Sequence, residues 1–418
     1  MNTPTRPDLP SPKRRPPELP TALDGLRIAD FSHFIAGPMC TMILADMGAD
    51  VIKIENAARG DDFRGFKPHI GGESAPYLWT NRNKRGIALD LTTEPAKQVA
   101  IDLIRSADVV VENFSKGVME RFGLGYEAMR QINPRLIYCS MSAYGRDGAM
   151  SDRLGFDPVV QAETGFMSLN GFPEQEGVRT GPAVMDISTG MMGAVAVLGA
   201  LAARERTGFG QQVEVALYDT ATLMLGFHAM NYLATGNNPI RFGNRSADSV
   251  PTGVFNASDG ALYIACANDR TYQRLVVDVF GRRDLADNPE FASNAGRVAN
   301  RERLSTIIEQ ILATDSCEAW AGKMQKAGVP AGVARSVEGA FGSAEMADRG
   351  LATQIPHPTA GTIPNIGSPL VLRGTPIVEP LAAPTLGQHT DEILSRVLNY
   401  SKEKIEALAK SGAIRRPF

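Results

Sequence analysis

Residues 26–55 read LRIADFSHFIAGPMCTMILADMGADVIKIE. The apolar run from Leu26 to Ser32 predicts a buried strand. GPMCTMILADMGA predicts a helix opened by Pro38 in its first turn, where a missing N–H removes no intrahelical bond. DVIKIE predicts a second strand, so the stretch is one βαβ unit. The pattern recurs downstream. GIALDL (86–91) leads into TTEPAKQVAIDLIRSA, a helix with Thr93 as N-cap and Pro95 in its first turn, and DVVVENF (108–114) is another apolar strand. VMERFGLGYEAMRQINP (118–134) is helical in pattern and RLIYCSMSAYG (135–145) is strand-like. Apolar strands alternating with amphipathic helices imply an α/β, Rossmann-like large domain whose parallel sheet is covered on both faces. The dinucleotide fingerprint is missing, because FGLGYEAM offers only Gly-x-Gly inside a helical pattern with no strand at the right offset.

The whole chain has 418 residues, 43% hydrophobic and 21% charged, enough for two domains and a sizeable core. A net charge of -3 gives no sign of a nucleic-acid or membrane-surface partner. Cys40, Cys139, Cys266 and Cys317 lie far apart, and the histidines show no metal-ligand spacing, so neither a metal site nor a disulfide framework is expected. Residues 1–24 form a proline-rich arm with Lys13, Arg14 and Arg15 but no apolar export segment, and are expected to be disordered. No apolar run is polar-free enough to read as a membrane span, the nearest being 181–201, and the expected location is the cytoplasm.

RTGFGQQVEVALYDTATLMLGFHAMNYL (206–233) reads as turn, strand and helix. Beyond it the texture changes to short strands such as GALYIACA and small helices. The expected division is a large domain over 25–224, a smaller α+β domain over 225–345, and a C-terminal segment over 346–418 that returns to the large domain.

Three sets of residues could carry chemistry. NRNKRG places Arg82, Lys84 and Arg85 ahead of a strand, either as a solvated loop or as a cationic edge for a ligand. Lys116 and Arg121 follow DVVVENF, at the strand end where open α/β sheets bind ligands, although an ordinary helix entry explains them as well. GPAVMDISTGMMGAVAVLGAL (181–201) holds a single ionisable side chain, Asp186. A buried unpaired carboxylate costs several kcal/mol, so something must offset it. Either Asp186 or Ser188 caps the helix, or the carboxylate is a nucleophile toward an acyl group, held ionised at a helix N-terminus; the two readings are compatible.

GLRIADFSHFIAGPMCTMILADMGADVIKIE, NRNKRGIALDL, ADVVVENFSKGVMERFGLGYEAM, INPRLIYCSMSAYG and MDISTGMMGAVAVLGAL together resemble the class III coenzyme A transferases (CaiB/BaiF, formyl-CoA transferase-like). The similarity runs from about residue 24 to 220 and returns in GQHTDEIL (387–394). It implies a Rossmann-like large domain completed by the C-terminal segment, and two chains interlocked as a homodimer. It also implies that Asp186 attacks an acyl-CoA thioester, passing through an aspartyl anhydride and an aspartyl-CoA thioester before a carboxylic acid acceptor takes the CoA. Coenzyme A thioester is then substrate, with no tightly bound cofactor. The family's CoA contacts fall on Ile35 and Ala36, Asn56, Leu89, Asp90, Leu91 and Thr92, then Asn113, Phe114 and Ser115, Arg121, and the segment Leu154, Gly155, Phe156 and Asp157.

Departures from the family pattern narrow the substrate. Ile35 replaces a polar residue of the oxalate-specific members, Asn56 stands where Arg often sits, and LGFD (154–157) lacks their Lys and Tyr. Their glycine-rich lid is replaced by FGNRSADSVPTGVF (242–255), in which Arg245 could meet a substrate carboxylate. These features favour succinyl-CoA as donor and a small dicarboxylate as acceptor. The fold also hosts α-methylacyl-CoA racemases, which carry a His-Asp pair where this chain has Phe156 and Asp157, and phenylalanine cannot exchange a proton. A CoA-binding homologue without chemistry would be expected to have lost Asp186, which is present.

Overall fold

A computed structural model describes residues 8–417. The chain divides into two compact units, one comprising the chain up to Phe166, Arg179–Gly236 and the chain from Ala344 on, the other Met167–Val178 and Asn237–Ser343.

The first unit is built on seven strands: β1 (Arg27–Asp30), β2 (Asp50–Asn56), β3 (Lys84–Leu89), β4 (Val109–Glu112), β5 (Ile137–Ser142), β6 (Gln212–Ala216) and β7 (Ile414–Arg415). Their order is β7-β3-β2-β1-β4-β5-β6. All neighbours are parallel except β7, which runs antiparallel to β3 with Ile414 opposite Leu89. Without β7 this is the 3-2-1-4-5-6 order of dinucleotide-binding sheets, and it reverses direction between β1 and β4. Ile28 stands beside Val51 and Val109, and Ala29 beside Ile52 and Val110. Because side chains alternate across a strand, Ile28, Val51, Val109 and Val111 feed one core and Ala29, Ile52 and Val110 the other. That two-sided burial is why these strands are apolar runs rather than alternating ones.

The first core is closed by α1 (Ala36–Asp46) and α4 (Val184–Thr207), the second by α2 (Glu94–Arg105), with Ile405 and Leu408 from the C-terminal helix Lys402–Lys410. α3 (Asp157–Glu163) adds its buried Val160 to a smaller cluster with Met185 of α4. Thr93 caps α2 through its side chain, as the sequence predicts. α4 is long and apolar enough to cross a membrane by length and composition, and its buried face lies on α1 and the sheet. A Cβ on Gly190 would stand 2.6 Å from the Ala36 carbonyl oxygen, and one on Gly193 only 2.1 Å from Met141 Cε. These glycines let two helices and a strand approach closely.

The second unit has a three-stranded antiparallel sheet, Ala331–Val333, Ala261–Ala265 and Thr252–Asn256, over helices including Arg301–Leu312 and Cys317–Lys326. Its core includes Phe255, Leu262, Ile264, Leu304, Ile308 and Trp320.

Three expectations need correction, and the arm can be traced beside them. Residues 118–134 form two short helices, Val118–Arg121 and Tyr126–Ile132, because the chain turns at Gly123 with φ at +74°. The arm follows a defined path from Asp8: Pro10 oxygen accepts from Gln354 N–H at 2.9 Å, and Leu23 N–H donates to Met47 oxygen at 3.0 Å. A proline-rich segment has little chain entropy to lose on docking. Residues 1–7 lie outside the described residues. The Arg82–Arg85 cluster is neither a solvated loop nor an open cationic edge. Arg82 pairs with Asp46, Arg85 with Asp50 at 2.7 Å and Lys84 with Asp30 at 3.0 Å, and Lys84 and Asp30 are both fully buried. Finally, α4 begins at Val184 with Ala183 as N-cap, so Asp186 is its third residue and neither it nor Ser188 caps the helix.

Candidate active site

The reversal between β1 and β4 leaves a crevice at the carboxyl ends of the strands. A cavity of about 580 Å³ lies there. It is walled by His33, Phe34, Ile35 and Ala36 after β1, by Asn113, Phe114 and Ser115 after β4, and by Ser142 and Ala143 after β5. Leu154, Gly155, Phe156 and Asp157 close one side, and Ala183 and Asp186 at the start of α4 form another. The βαβ geometry thus brings together residues that are distant in the chain.

The loop after β1 is set by side-chain hydrogen bonds together with one close-packed glycine. Asn113 clamps His33 from both sides, its Oδ1 accepting from His33 N–H and its Nδ2 donating to His33 oxygen, each at 2.8 Å. Phe34 sits in the left-handed region at φ +62°, with its N–H donating to Asp61 Oδ1 at 3.1 Å. Asp61 is fixed in turn by buried Lys53 at 2.8 Å, and Lys53 also donates to Ser32 oxygen. Lys53 keeps Asp61 below the ordinary carboxylate range against the opposing effect of burial. Gly37 allows the loop to close, since a Cβ there would lie 2.2 Å from Ser32 Cβ. No side chain caps α1, so its N-terminus opens beside Ile35 and Ala36 on the cavity wall.

Asp186 sits in a different environment from the one its position in the sequence suggests. The amides at the start of α4 are taken by Asp157, whose Oδ2 accepts from Met185 N–H at 2.7 Å and from Asp186 N–H at 3.3 Å. Gln161 Nε2 donates to the other oxygen of Asp157 at 2.5 Å. Burial, and then the neighbouring Asp157 charge, push the Asp186 carboxyl up to about 7. The expectation that a helix cap holds Asp186 ionised is therefore corrected: Asp157 takes that place. What stands at the cavity wall is a largely buried carboxyl group whose proton is held more tightly than usual, and a carboxylate so poorly solvated is in general the more reactive.

The remaining predicted residues divide among neighbouring hollows. Asn56, Leu89, Leu91 and Thr92 line a second cavity of about 250 Å³, and Phe114 lines both. Asn56 Oδ1 accepts from the N–H groups of Ala58 and Arg59, which shapes the turn after β2. Asp90 lines a hollow with Asn56 and Arg415 beside β7, and its Oδ1 accepts from Thr92 N–H and Oγ1. Leu89 is a core residue, 1% exposed. Arg121 is exposed on the helix whose Val118 reaches the main cavity. Arg245 belongs to the second unit, where it pairs with Glu302 at 2.6 Å.

Among the cavity residues that sequence reading missed are the phenylalanine collar of Phe34, Phe63 and Phe66, whose rings meet one another and Phe156 at 5.1–6.2 Å, and Arg179. The phenylalanines carry no polar signal. Arg179 stands seven residues before Asp186, and only the loop between them shows that both face one space.

The profile of the CoA-transferase family III matches residues 23–390. The chain is 36% identical to the succinate–glutarate CoA-transferase of Agrobacterium fabrum, over 92% of this chain and 97% of that one. It is 37% identical to the acetyl-CoA:oxalate CoA-transferase of Acetobacter aceti, over 84% and 89%. Among solved structures, a CaiB/BaiF family protein from Brucella suis superposes with a TM-score of 0.82 at 35% identity, covering 90% of this chain and all of that one. With a Rossmann-like parallel sheet and a carboxylate-bearing cavity at its switch point, the chain belongs to CoA-transferase family III and is an enzyme that transfers coenzyme A.

Proposed function

We propose that the protein moves CoA from succinyl-CoA to a small dicarboxylic acid, with Asp186 as nucleophile. The observation that carries this is the position of the Asp186 carboxyl on the wall of the switch-point cavity, where burial and the Asp157 charge push its pKa up. An ionised Asp186 oxygen adds to the thioester carbonyl, and the C–S bond breaks to release CoA thiolate and leave an aspartyl–acyl anhydride. The thiolate then attacks the aspartyl carbonyl, releasing the donor acid and leaving an aspartyl-CoA thioester. The acceptor carboxylate repeats the two exchanges in reverse order. Each addition develops an oxyanion. The amides of α4 are spent on Asp157, so the donors of choice are the main-chain N–H groups at the uncapped start of α1. The dicarboxylate reading is supported by relatives named for succinate, glutarate and mesaconate, while Phe156 on the cavity wall gives no proton carrier for racemisation.

CoA's nucleotide end would lie along the second cavity, lined by Asn56, Leu91, Thr92 and Phe114. A homodimer is supported by an exposed apolar surface: Met191, Met192 and Val195 on α4, with Leu223, Phe227, Met230 and Leu233 on the helices that follow.

The test is to incubate the protein with succinyl-CoA, trap with hydroxylamine or borohydride, and locate the mass change. Modification at Asp186, absent from Asp186→Ala, is expected. Full transfer activity in Asp186→Ala would overturn the mechanism, and α-proton exchange in deuterated water without CoA transfer would favour a racemase.

A further inference from the structure

We infer that Arg179 is the specificity-determining residue that receives the second carboxylate of a diacid substrate. The inference rests on the CoA-transferase reading for its context, but its geometry is independent of it. The titratable groups on the main cavity wall are His33, Asp157, Arg179 and Asp186. Burial lowers the His33 pKa, which disfavours a cationic imidazole. Two of the remaining three are carboxyl groups, which repel a dianion entering between them. Arg179 is the permanent cation among the described residues of that wall.

Nearby cations are already occupied. Lys53 is buried against Asp61, and Arg146 is bound to Glu112. Arg179 has no carboxylate partner among the described residues. Its Nη1 donates to the carbonyls of Thr180 and Gly181 at 3.1 and 3.5 Å, contacts that fix the guanidinium while its remaining donors are available. A planar, permanently charged fork matches a carboxylate with two parallel hydrogen bonds. Part of the wall is aromatic: Phe34, Phe63, Phe66 and Phe156 contact one another around the same space. One cationic point, one reacting carboxyl and a phenylalanine collar suit an acid with two carboxylates joined by a methylene spacer. The spacer meets aromatic rings, one end meets Arg179, and the other reaches Asp186.

The test compares wild type with Arg179→Met and Arg179→Lys, using glutarate against pentanoate, which has the same chain length and lacks the second charge. Calorimetric binding is read first, because it does not depend on turnover. Wild type is expected to bind glutarate more tightly than pentanoate. Arg179→Met should lose about 10- to 100-fold in glutarate affinity with pentanoate unchanged, and Arg179→Lys should retain part of it. In turnover, the same variant should lose succinyl-CoA as donor while keeping acetyl-CoA. Equal losses for both acids, no loss for either, or no preference in wild type would each overturn the inference. Glutarate binding that depends on Arg179 without CoA transfer would overturn the transferase reading and leave this inference standing; transfer by Arg179→Met with unchanged diacid preference would do the reverse.

Discussion

Asp157 Oδ2 lies 3.3 Å from the backbone nitrogen of Asp186 and 2.7 Å from that of Met185. One carboxylate thus consumes the positive end of α4 and places its charge beside the other. Replacing it with asparagine keeps an acceptor for those amides and removes the charge. The acid limb of kcat/KM for CoA transfer is expected near pH 7 in wild type and at lower pH in Asp157→Asn. The move should be partial, since burial is the larger cause. An unmoved limb would show that Asp157 does not tune Asp186.

The same raised carboxyl should register in stability. For an acid whose folded pKa exceeds its unfolded value, the ionised form is the one that costs stability. That cost is absent below the ordinary aspartate value of 3.8 and complete above about 7, with an upper bound of ~4 kcal/mol for the gap. Asp186→Asn should therefore unfold at higher temperature than wild type at pH 8, and the advantage should vanish toward pH 4. Thermal scans across that range would show it. An advantage that is the same at both ends would exclude ionisation as its cause.

Two glycines on α4 should respond differently to alanine. At Gly193 the new methyl meets the end of the Met141 side chain, which can turn away, for a cost of about 1–3 kcal/mol in urea unfolding. At Gly190 it meets the Ala36 carbonyl at 2.6 Å, which is backbone. Gly190→Ala should displace the start of α1 and lower kcat more than Gly193→Ala does at comparable stability. Equal effects on kcat would count against α1 as the source of oxyanion donors.

Beneath the site, Lys84 and Asp30 form a buried pair, in which the Lys84 and Lys53 charges hold Asp30 below the usual carboxylate range against the effect of burial. Lys84→Met takes away the ion-pair partner of the carboxylate, which keeps only its hydrogen bonds from Ser32 and Thr41 and the more distant Lys53 charge, and should cost about 3–5 kcal/mol. The double variant Asp30→Asn, Lys84→Met should recover part of that loss in chemical denaturation. Strictly additive losses would show that the two groups do not interact.

The strand-helix alternation is legible in the sequence because a sheet covered on both faces demands apolar runs, as in VVVE of β4. Asp186 is legible as an anomaly within its helix. Its partner is not, because Asp157 comes from 29 residues upstream and capping from such a distance leaves no local spacing to detect. The cations at 82–85 mislead for the same reason, their carboxylates lying 36, 54 and 35 residues earlier. The left-handed Phe34 is likewise hidden, since a bulky residue at positive φ contradicts local preference and is sustained by Asp61 from outside the loop.

The clamp of Asn113 on His33 bears on how such sheets acquire new ligands. In a dinucleotide site the crevice is shaped by glycines whose replacement distorts the backbone outright. Here two hydrogen bonds from the residue just beyond a neighbouring strand share the shaping with Gly37, and hydrogen bonds can be exchanged one partner at a time. A crevice built that way can be re-cut by single substitutions while the sheet beneath it keeps its strand order, so the same framework is open to gradual change in what it admits.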